Sequence, residues 1–396
     1  MQKNDKYFKR EQKLSKTSVL PASDVKKLKQ RWAELIAAKT ATLDIRNSSE
    51  FDHRYNSANI SQQNIETKEP PHPAVTEGES SENDGMIYRE NTVVYGILNY
   101  TTWISRDDPH EYPYIINPRG KCANGEDGFK KLTLLILVVS KPRNFKQREV
   151  IRKTWAAQPA HFASSVIITV FLLGRGPIRE MTQFNVEKEA QKFEDIVQED
   201  FVDSYLNLTV KTIMGLKWVT KFCPRARFVL KIDDDMSLNI DRLLAYLRRS
   251  PMKNFFGGKA AESFPVLRDT REKFYVPWSL YPEEKYPPYC VGLGYVMSTD
   301  LVYKLYYRAL TTPLFPWEDV YMGMLLKFYA IMPTNIPNFF GEGNYFHQNG
   351  TLKMTNTNIS KVRAVFTLHG LSWYEQAQVW SLWSGKPYEY RIEKNI

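Results

Sequence analysis

Two continuous apolar runs, Leu132–Val139 and Val166–Leu173, dominate the hydropathy pattern of the chain. Neither shows the in–out alternation of a half-exposed strand, so both predict strands buried on two faces of a largely parallel sheet. A third run, Phe228-Val229-Leu230-Lys231-Ile232, carries the aromatic and β-branched residues of a strand interior and ends in Asp233-Asp234-Asp235. Between these runs the spacing turns helical, predicting helices over Gln147–Trp155, Arg179–Glu194 and Leu208–Lys221, with Asp195–Val197 as a short strand. Further along, Asp241–Arg249, Thr299–Arg308 and Glu318–Phe328 predict helices, Tyr295–Ser298 a strand, and residues 254–290 an irregular aromatic stretch. Strand and helix in alternation argue for an open α/β sheet. Ligands of such sheets sit beyond the carboxyl ends of strands, where the three aspartates would lie.

The first part of the chain reads differently. Residues 1–22 are polar, Asp24–Lys39 places Val25, Leu28, Trp32, Leu35 and Ile36 at helical spacing, and residues 40–84 have a linker's composition. The expected organisation is a tail, helix and linker over 1–85 (a stem), followed by one body over 86–396. That body can bury a sizeable core, because 43% of the 396 residues are hydrophobic. The net charge of +10 is uneven: residues 1–40 hold 11 Lys/Arg against 4 Asp/Glu, leaving only +3 on the remaining 356 residues. This weakens a nucleic-acid reading.

Three cysteines, Cys122, Cys223 and Cys290, show no zinc spacing. Asn-x-Ser/Thr triplets at Asn47, Asn59, Asn99, Asn207, Asn349 and Asn358 suggest a secretory lumen. No apolar run reaches the ~20 residues that span a bilayer. The first residues also lack the apolar core of a signal peptide.

Three adjacent carboxylates at a strand end repel one another unless a cation joins them. Mg²⁺ or Mn²⁺ suits such a site, taking one or two carboxylates together with water and substrate phosphates. A solvated acidic loop would read the same way from the triplet alone. Arg148 and Arg152 lie four apart on one helical face and can pair with phosphate or with an acidic core partner. Glu318-Asp319 heads a helix, where the dipole favours acids in any case. Gly292 and Gly294 permit close backbone approach, to substrate or within a tight turn. Trp278, Tyr289 and Trp317 could stack on sugar faces or simply fill core.

Several blocks resemble the β1,3-glycosyltransferases of glycosyltransferase family 31. They are Arg148-Glu149-Val150-Ile151-Arg152-Lys153-Thr154-Trp155; DIVQEDFVDSYLNLTVKT over Asp195–Thr212; Lys231-Ile232-Asp233-Asp234-Asp235; Tyr286-Pro287-Pro288-Tyr289-Cys290 with Gly292, Gly294 and Tyr295; and Glu318-Asp319-Val320-Tyr321-x-Gly323. They follow the family's order within residues 112–385. The resemblance implies a GT-A-like (Rossmann-like) catalytic domain that performs inverting, metal-dependent transfer of a hexose, galactose first, from a UDP-sugar to the 3-hydroxyl of a glycan. N-acetylglucosamine or N-acetylgalactosamine transfer, or a silent glycan-binding or chaperone relative, are the alternatives.

By the same resemblance Asp233, Asp235 and His369 would hold Mn²⁺ or another divalent cation, with Asp235 the direct ligand ahead of Asp233. Arg148, Arg152, Asp233, Asp234, Gly292 and Gly294 would face the UDP-sugar. Asp319 would be the general base and Glu318 the neighbour that orients it. His347 has no family block behind it and is expected to be structural or acceptor-side. Golgi residence and membrane attachment are implied, although no anchor is visible in the chain. The cysteine that family members carry shortly after Gly323 is missing here, which would leave Cys290 free. Cys122 and Cys223 precede the two strands expected to be neighbours, and are the expected disulfide.

Overall fold

The computed structural model describes residues 112–122, 132–157, 166–176, 180–341, 345–347, 350–353 and 355–388. The expected stem, its helix and linker, and the first residues of the body lie outside the described residues. The strands are β1 (Tyr114–Ile116), β2 (Leu132–Val139), β3 (Val166–Arg175), β4 (Ile196–Val202), β5 (Phe228–Asp233), β6 (Ser237–Leu238), β7 (Phe256–Ala261), β8 (Tyr289–Ser298), β9 (Thr334–Asn335) and β10 (Thr367–Leu368). The helices are α1 (Phe145–Lys153), α2 (Glu180–Phe193), α3 (Leu208–Phe222), α4 (Ile240–Leu247), α5 (Thr299–Ala309), α6 (Glu318–Phe328), α7 (Asn356–Ala364) and α8 (Trp373–Ser384).

Eight strands form one sheet in the order β1-β4-β3-β2-β5-β8-β7-β9. The two continuous apolar runs are its centre. Leu135, Leu137 and Val139 of β2 face one apolar layer, shared with residues of α3, α5 and α6. Leu134, Ile136 and Val138 face the other, shared with residues of α1, α2 and α4. A strand with helices over both faces has no solvent side, and the sequence accordingly shows no alternation.

The chain steps outward from β2 to β3 to β4 in parallel, then crosses back through α3 to lay β5 parallel to β2 on the opposite side. The reversal between β2 and β5 is the switch point at which open α/β sheets bind ligands. Antiparallel β8 joins next, so the sheet is mixed where a largely parallel one was expected. In this arrangement the carboxyl ends of β2, β3, β4 and β5 and the amino end of β8 share one rim.

β4, β7 and β8 are longer than, or absent from, the sequence reading because polar or glycine residues break their patterns. β4 runs on past Val197 through Gln198 and Glu199, which are buried but satisfied by the Gly174 carbonyl and by Lys217. β7 contains Gly257-Gly258-Lys259, and β8 begins six residues early, through Cys290, Gly292 and Gly294. The Cys122–Cys223 disulfide is present, and Cys290 is free and buried.

Candidate active site

β5 ends at Asp233 and β8 lies antiparallel to it, with Ile232 opposite Gly294. This register brings Lys231, buried at 3% exposure, beneath Gly292 and the start of α6. Its Nζ donates to Asp233 Oδ1 at 2.8 Å and to the Gly292 carbonyl at 2.5 Å, and lies 3.6 Å from Glu318 Oε2. Burial works against the ammonium charge, but Asp233 and Glu318 outweigh it and hold the pKa above the ordinary lysine value. Glu318 is itself buried and also accepts from the Tyr295 hydroxyl. Burial raises the pKa of its carboxyl, against the pull of Lys231 and Tyr295.

Asp319, the next residue, is only half-buried. Its Oδ2 accepts the Gly292 N–H at 3.0 Å and its Oδ1 the Val320 N–H at 2.9 Å. Burial raises its pKa, against those two N–H groups. A Cβ added at Gly292 would come within 3.2 Å of Asp319 Cβ, and one at Gly294 within 3.2 Å of the Lys231 carbonyl. Both glycines therefore serve contacts inside the protein, Gly292 seating the carboxylate and Gly294 the strand pair.

The other end of the acidic triplet meets the C-terminal part of the chain. β10 pairs antiparallel with β6, Leu368 opposite Ser237, and this carries His369 to Asp235. Nε2 of His369 lies 3.4 Å from Asp235 Oδ2. Asp235 Oδ1 is enclosed and has no hydrogen-bond partner. Burial raises the Asp235 pKa, opposed by His369. A cleft of about 730 Å³ opens beside this pair, lined by Tyr345, His347, Lys353, His369 and Glu375 among others.

The comparisons with known proteins bear on what this arrangement is for. Residues 146–337 match the galactosyltransferase family model. Mouse β-1,3-galactosyltransferase 1 is 36% identical over 283 residues, covering 70% of this chain and 81% of the relative, and the human protein gives the same figures. The chain belongs to the β1,3-galactosyltransferase family. The lactosylceramide 1,3-N-acetyl-β-D-glucosaminyltransferase of Xenopus tropicalis is 34% identical over 269 residues, covering 65% of this chain and 70% of that protein. Among solved structures, the bifunctional glycosyltransferase WbbM superposes with a TM-score of 0.35 at 13% identity, covering 63% of this chain and 48% of that one. The protein is a glycosyltransferase that transfers a sugar to a glycan acceptor.

Within this galactosyltransferase-family enzyme the two arginines are engaged with partners inside the protein. Arg148 is fully buried, and all its N–H groups are taken: by Glu189, Ser140 Oγ and the carbonyls of Lys141 and Pro142. Arg152 bridges Glu189 and Asp195. This corrects the expectation of a phosphate contact for Arg148, because a guanidinium with every donor engaged inside the core has none left for a ligand; Arg152 spends three of its five N–H groups on Asp195 and Glu189. Of the two partners the sequence allowed, the acidic core partner is the one observed. Asp234 likewise points inward, its Oδ2 accepting from Ser140 Oγ at 2.6 Å and Asn144 Nδ2 at 2.8 Å. The triplet is thus split three ways: Asp233 to Lys231, Asp234 to the α1 side, and Asp235 to His369.

Among the described residues no three His, Cys, Asp or Glu side chains gather as a metal cluster, so the expected trio of Asp233, Asp235 and His369 is not assembled. Asp235 and His369 remain as a two-donor pair. A hard divalent cation that keeps water and substrate phosphates needs no more from the protein, and the unpartnered Asp235 Oδ1 fits such an ion. Sequence reasoning named Tyr295 only within a family block, without a role, and missed Gln376. Buried Gln376 of α8 donates to the Asp234 carbonyl at 2.8 Å and fixes the triplet's backbone, a contact with no local signal in the sequence. Trp278 and Tyr289 are packed within the protein: Trp278 stacks on Arg268 at 3.9 Å and Tyr289 is buried.

Proposed function

We propose that the enzyme transfers galactose from UDP-galactose to the 3-hydroxyl of a glycan acceptor, with inversion at the anomeric carbon and Asp319 as general base. The observation that carries this reading is the pair of backbone N–H groups that fix Asp319 at the rim, while its neighbour Glu318 is held inside. Asp319 takes the acceptor hydroxyl proton, the acceptor oxygen bonds to the anomeric carbon, and the bond from that carbon to the diphosphate oxygen breaks, with its electron pair leaving on UDP. The raised pKa makes the carboxylate a stronger base than a surface aspartate, and general-base assistance contributes roughly 10²–10⁴-fold. Glu318 is a positioning residue, and Lys231 ties it to Asp233 across the strand pair.

Asp235 and His369 hold a divalent cation, Mn²⁺ first, which would neutralise the departing diphosphate when bound. The switch-point crevice between β2 and β5 receives the nucleotide. The names of the relatives leave galactose and N-acetylglucosamine as competing donors, and the galactosyltransferase model favours the first. The Cys122–Cys223 disulfide suits an oxidising lumen, which supports residence in the Golgi. No helix among the described residues is long and apolar enough to cross a membrane. UDP release should be measured for UDP-galactose, UDP-N-acetylglucosamine and UDP-N-acetylgalactosamine, with and without Mn²⁺. Acceptors should be lactose and the methyl β-glycosides of N-acetylglucosamine, N-acetylgalactosamine and galactose. A preference for another donor would overturn the assignment of galactose, and metal-independent turnover would remove the cation.

A further inference from the structure

Beside Asp319 the rim carries a cluster of rings that the chemistry above does not use. Trp317, two residues ahead of the base, is buried at 6% exposure, and its indole Nε1 has no hydrogen-bond partner. Over it lie Phe274, edge-on at 5.3 Å, and Tyr205, tilted at 6.4 Å. These two rings are 42% and 46% exposed. The Lys273 ammonium sits 5.1 Å from the Phe274 ring and 4.9 Å from the Tyr205 ring, holding both from one side.

The placement follows from topology. Tyr205 opens the short turn after β4, whose carboxyl end lies on the active rim. Phe274 belongs to the excursion between β7 and β8, which leaves and re-enters the sheet beside Tyr289, at the amino end of β8. That excursion is pinned from within. Arg268 donates to the carbonyls of Val276, Tyr281 and Glu283 at 2.6–2.7 Å, and Val266 and Tyr286 donate to the Glu284 and Phe264 carbonyls. Phe274 is therefore an exposed ring on a fixed frame.

Tyr205 and Phe274 stay nearly half exposed while packed over Trp317, two residues ahead of the base. Sugars present flat C–H faces, and ring faces accept them with little ordering cost, because an aromatic side chain has only two rotatable bonds. From this placement we propose that Tyr205 and Phe274, backed by Trp317 and steadied by Lys273, form the platform on which the acceptor saccharide stacks, and that they set acceptor specificity. The assignment rests on Asp319 being the base that the acceptor hydroxyl must reach.

The test uses the full chain with the donor that turns over, and as acceptors lactose and the same three methyl β-glycosides. Phe274→Ala and Tyr205→Ala are each expected to raise the acceptor KM about tenfold. Donor KM and acceptor-independent hydrolysis of the UDP-sugar should stay unchanged, and Phe274→Trp should restore the acceptor KM. Phe274→Leu keeps apolar bulk without a ring face and should behave like Ala. An unchanged acceptor KM in both alanine variants overturns the platform, as does a rise shared equally by donor and acceptor. A concentration-dependent dimer lost in the variants, with acceptor KM intact, would assign the rings to self-association instead and equally overturn it. If wild type transfers to no acceptor, the proposed reaction fails first. Saturation-transfer NMR of lactose with wild type and Phe274→Ala then decides the platform separately, since contact present in the first and lost in the second supports it and no contact in either refutes it.

Discussion

Replacing Asp319 by Asn is the most informative single perturbation of this site. The carboxylate and the amide have nearly the same shape, but the two oxygens of Asp319 each accept one backbone N–H, at 3.0 Å from Gly292 and 2.9 Å from Val320. An amide keeps one acceptor and turns its NH₂ towards the other N–H. One buried donor is left unsatisfied, at about 1–3 kcal/mol of stability. The chemical loss is larger. Removing the base should lower kcat by ~10²–10⁴, which corresponds to ~2.7–5.5 kcal/mol in the barrier.

Turnover at saturating donor and acceptor, with UDP affinity measured separately by calorimetry, separates the two effects, since the donor site should be intact. Glu318→Gln should cost less, because its amide oxygen can still accept from Tyr295, and Lys231 keeps Asp233 and the Gly292 carbonyl as partners. The pH profile adds a sign. Burial raises the Asp319 pKa, so activity is lost as pH falls through that raised value, and the acid limb is shifted upward from that of an ordinary aspartate. Stability runs the other way: the folded state binds this proton more tightly than the unfolded state, so the contribution is present at low pH and is lost as pH rises through the folded pKa. Near-normal turnover in Asp319→Asn beside an inactive Glu318→Gln would reverse the two roles. Near-normal turnover in both would remove this pair from the reaction.

Three further outcomes are expected. Arg148→Met removes a fully buried charge from Glu189 and should destabilise the fold by about 3–5 kcal/mol, read from the urea midpoint; a loss confined to UDP affinity, with the midpoint unmoved, would return the arginine to the donor site. Asp235→Asn and His369→Ala should each abolish the Mn²⁺-dependent part of UDP binding in calorimetric titrations while leaving metal-free binding as it is, and unchanged metal enhancement in both would refute the pair as ligands. Cys223→Ser opens a loop whose ends are separated by 101 residues, for which chain entropy gives up to ~4.7 kcal/mol; a thermal midpoint equal to wild type would show that the bridge adds no stability.

The sequence alone determined the alternating centre of the sheet, and the reason is local. β2 and the start of β3 are legible because both faces are covered by helices, so that nearly every residue of Leu132–Val139 and Val166–Leu173 has to be apolar. Helix α6 is legible from its first residue, since Glu318 and Asp319 sit where the dipole wants acids. The identities of the acidic triplet, Glu318, Asp319 and His369 were also visible, carried by ordered motifs that resemble a known family.

What the motifs left open was direction. Three consecutive aspartates carry the same charge, and only the tertiary structure sends Asp233 to Lys231, Asp234 to Ser140 and Asn144, and Asp235 to His369. Arg148 and Arg152 read equally well as phosphate ligands until α2 supplies Glu189, which pairs with both. Gly292 read as a substrate contact or a tight turn, and only the tertiary structure shows it as the close neighbour of Asp319, 27 residues away in the chain. His369 reaches Asp235 through the two-residue pairing of β10 with β6, too short to leave a periodic signal. In each case the deciding partner is distant in sequence: local spacing specifies which face a residue takes on its own element, and packing between elements specifies what that face meets.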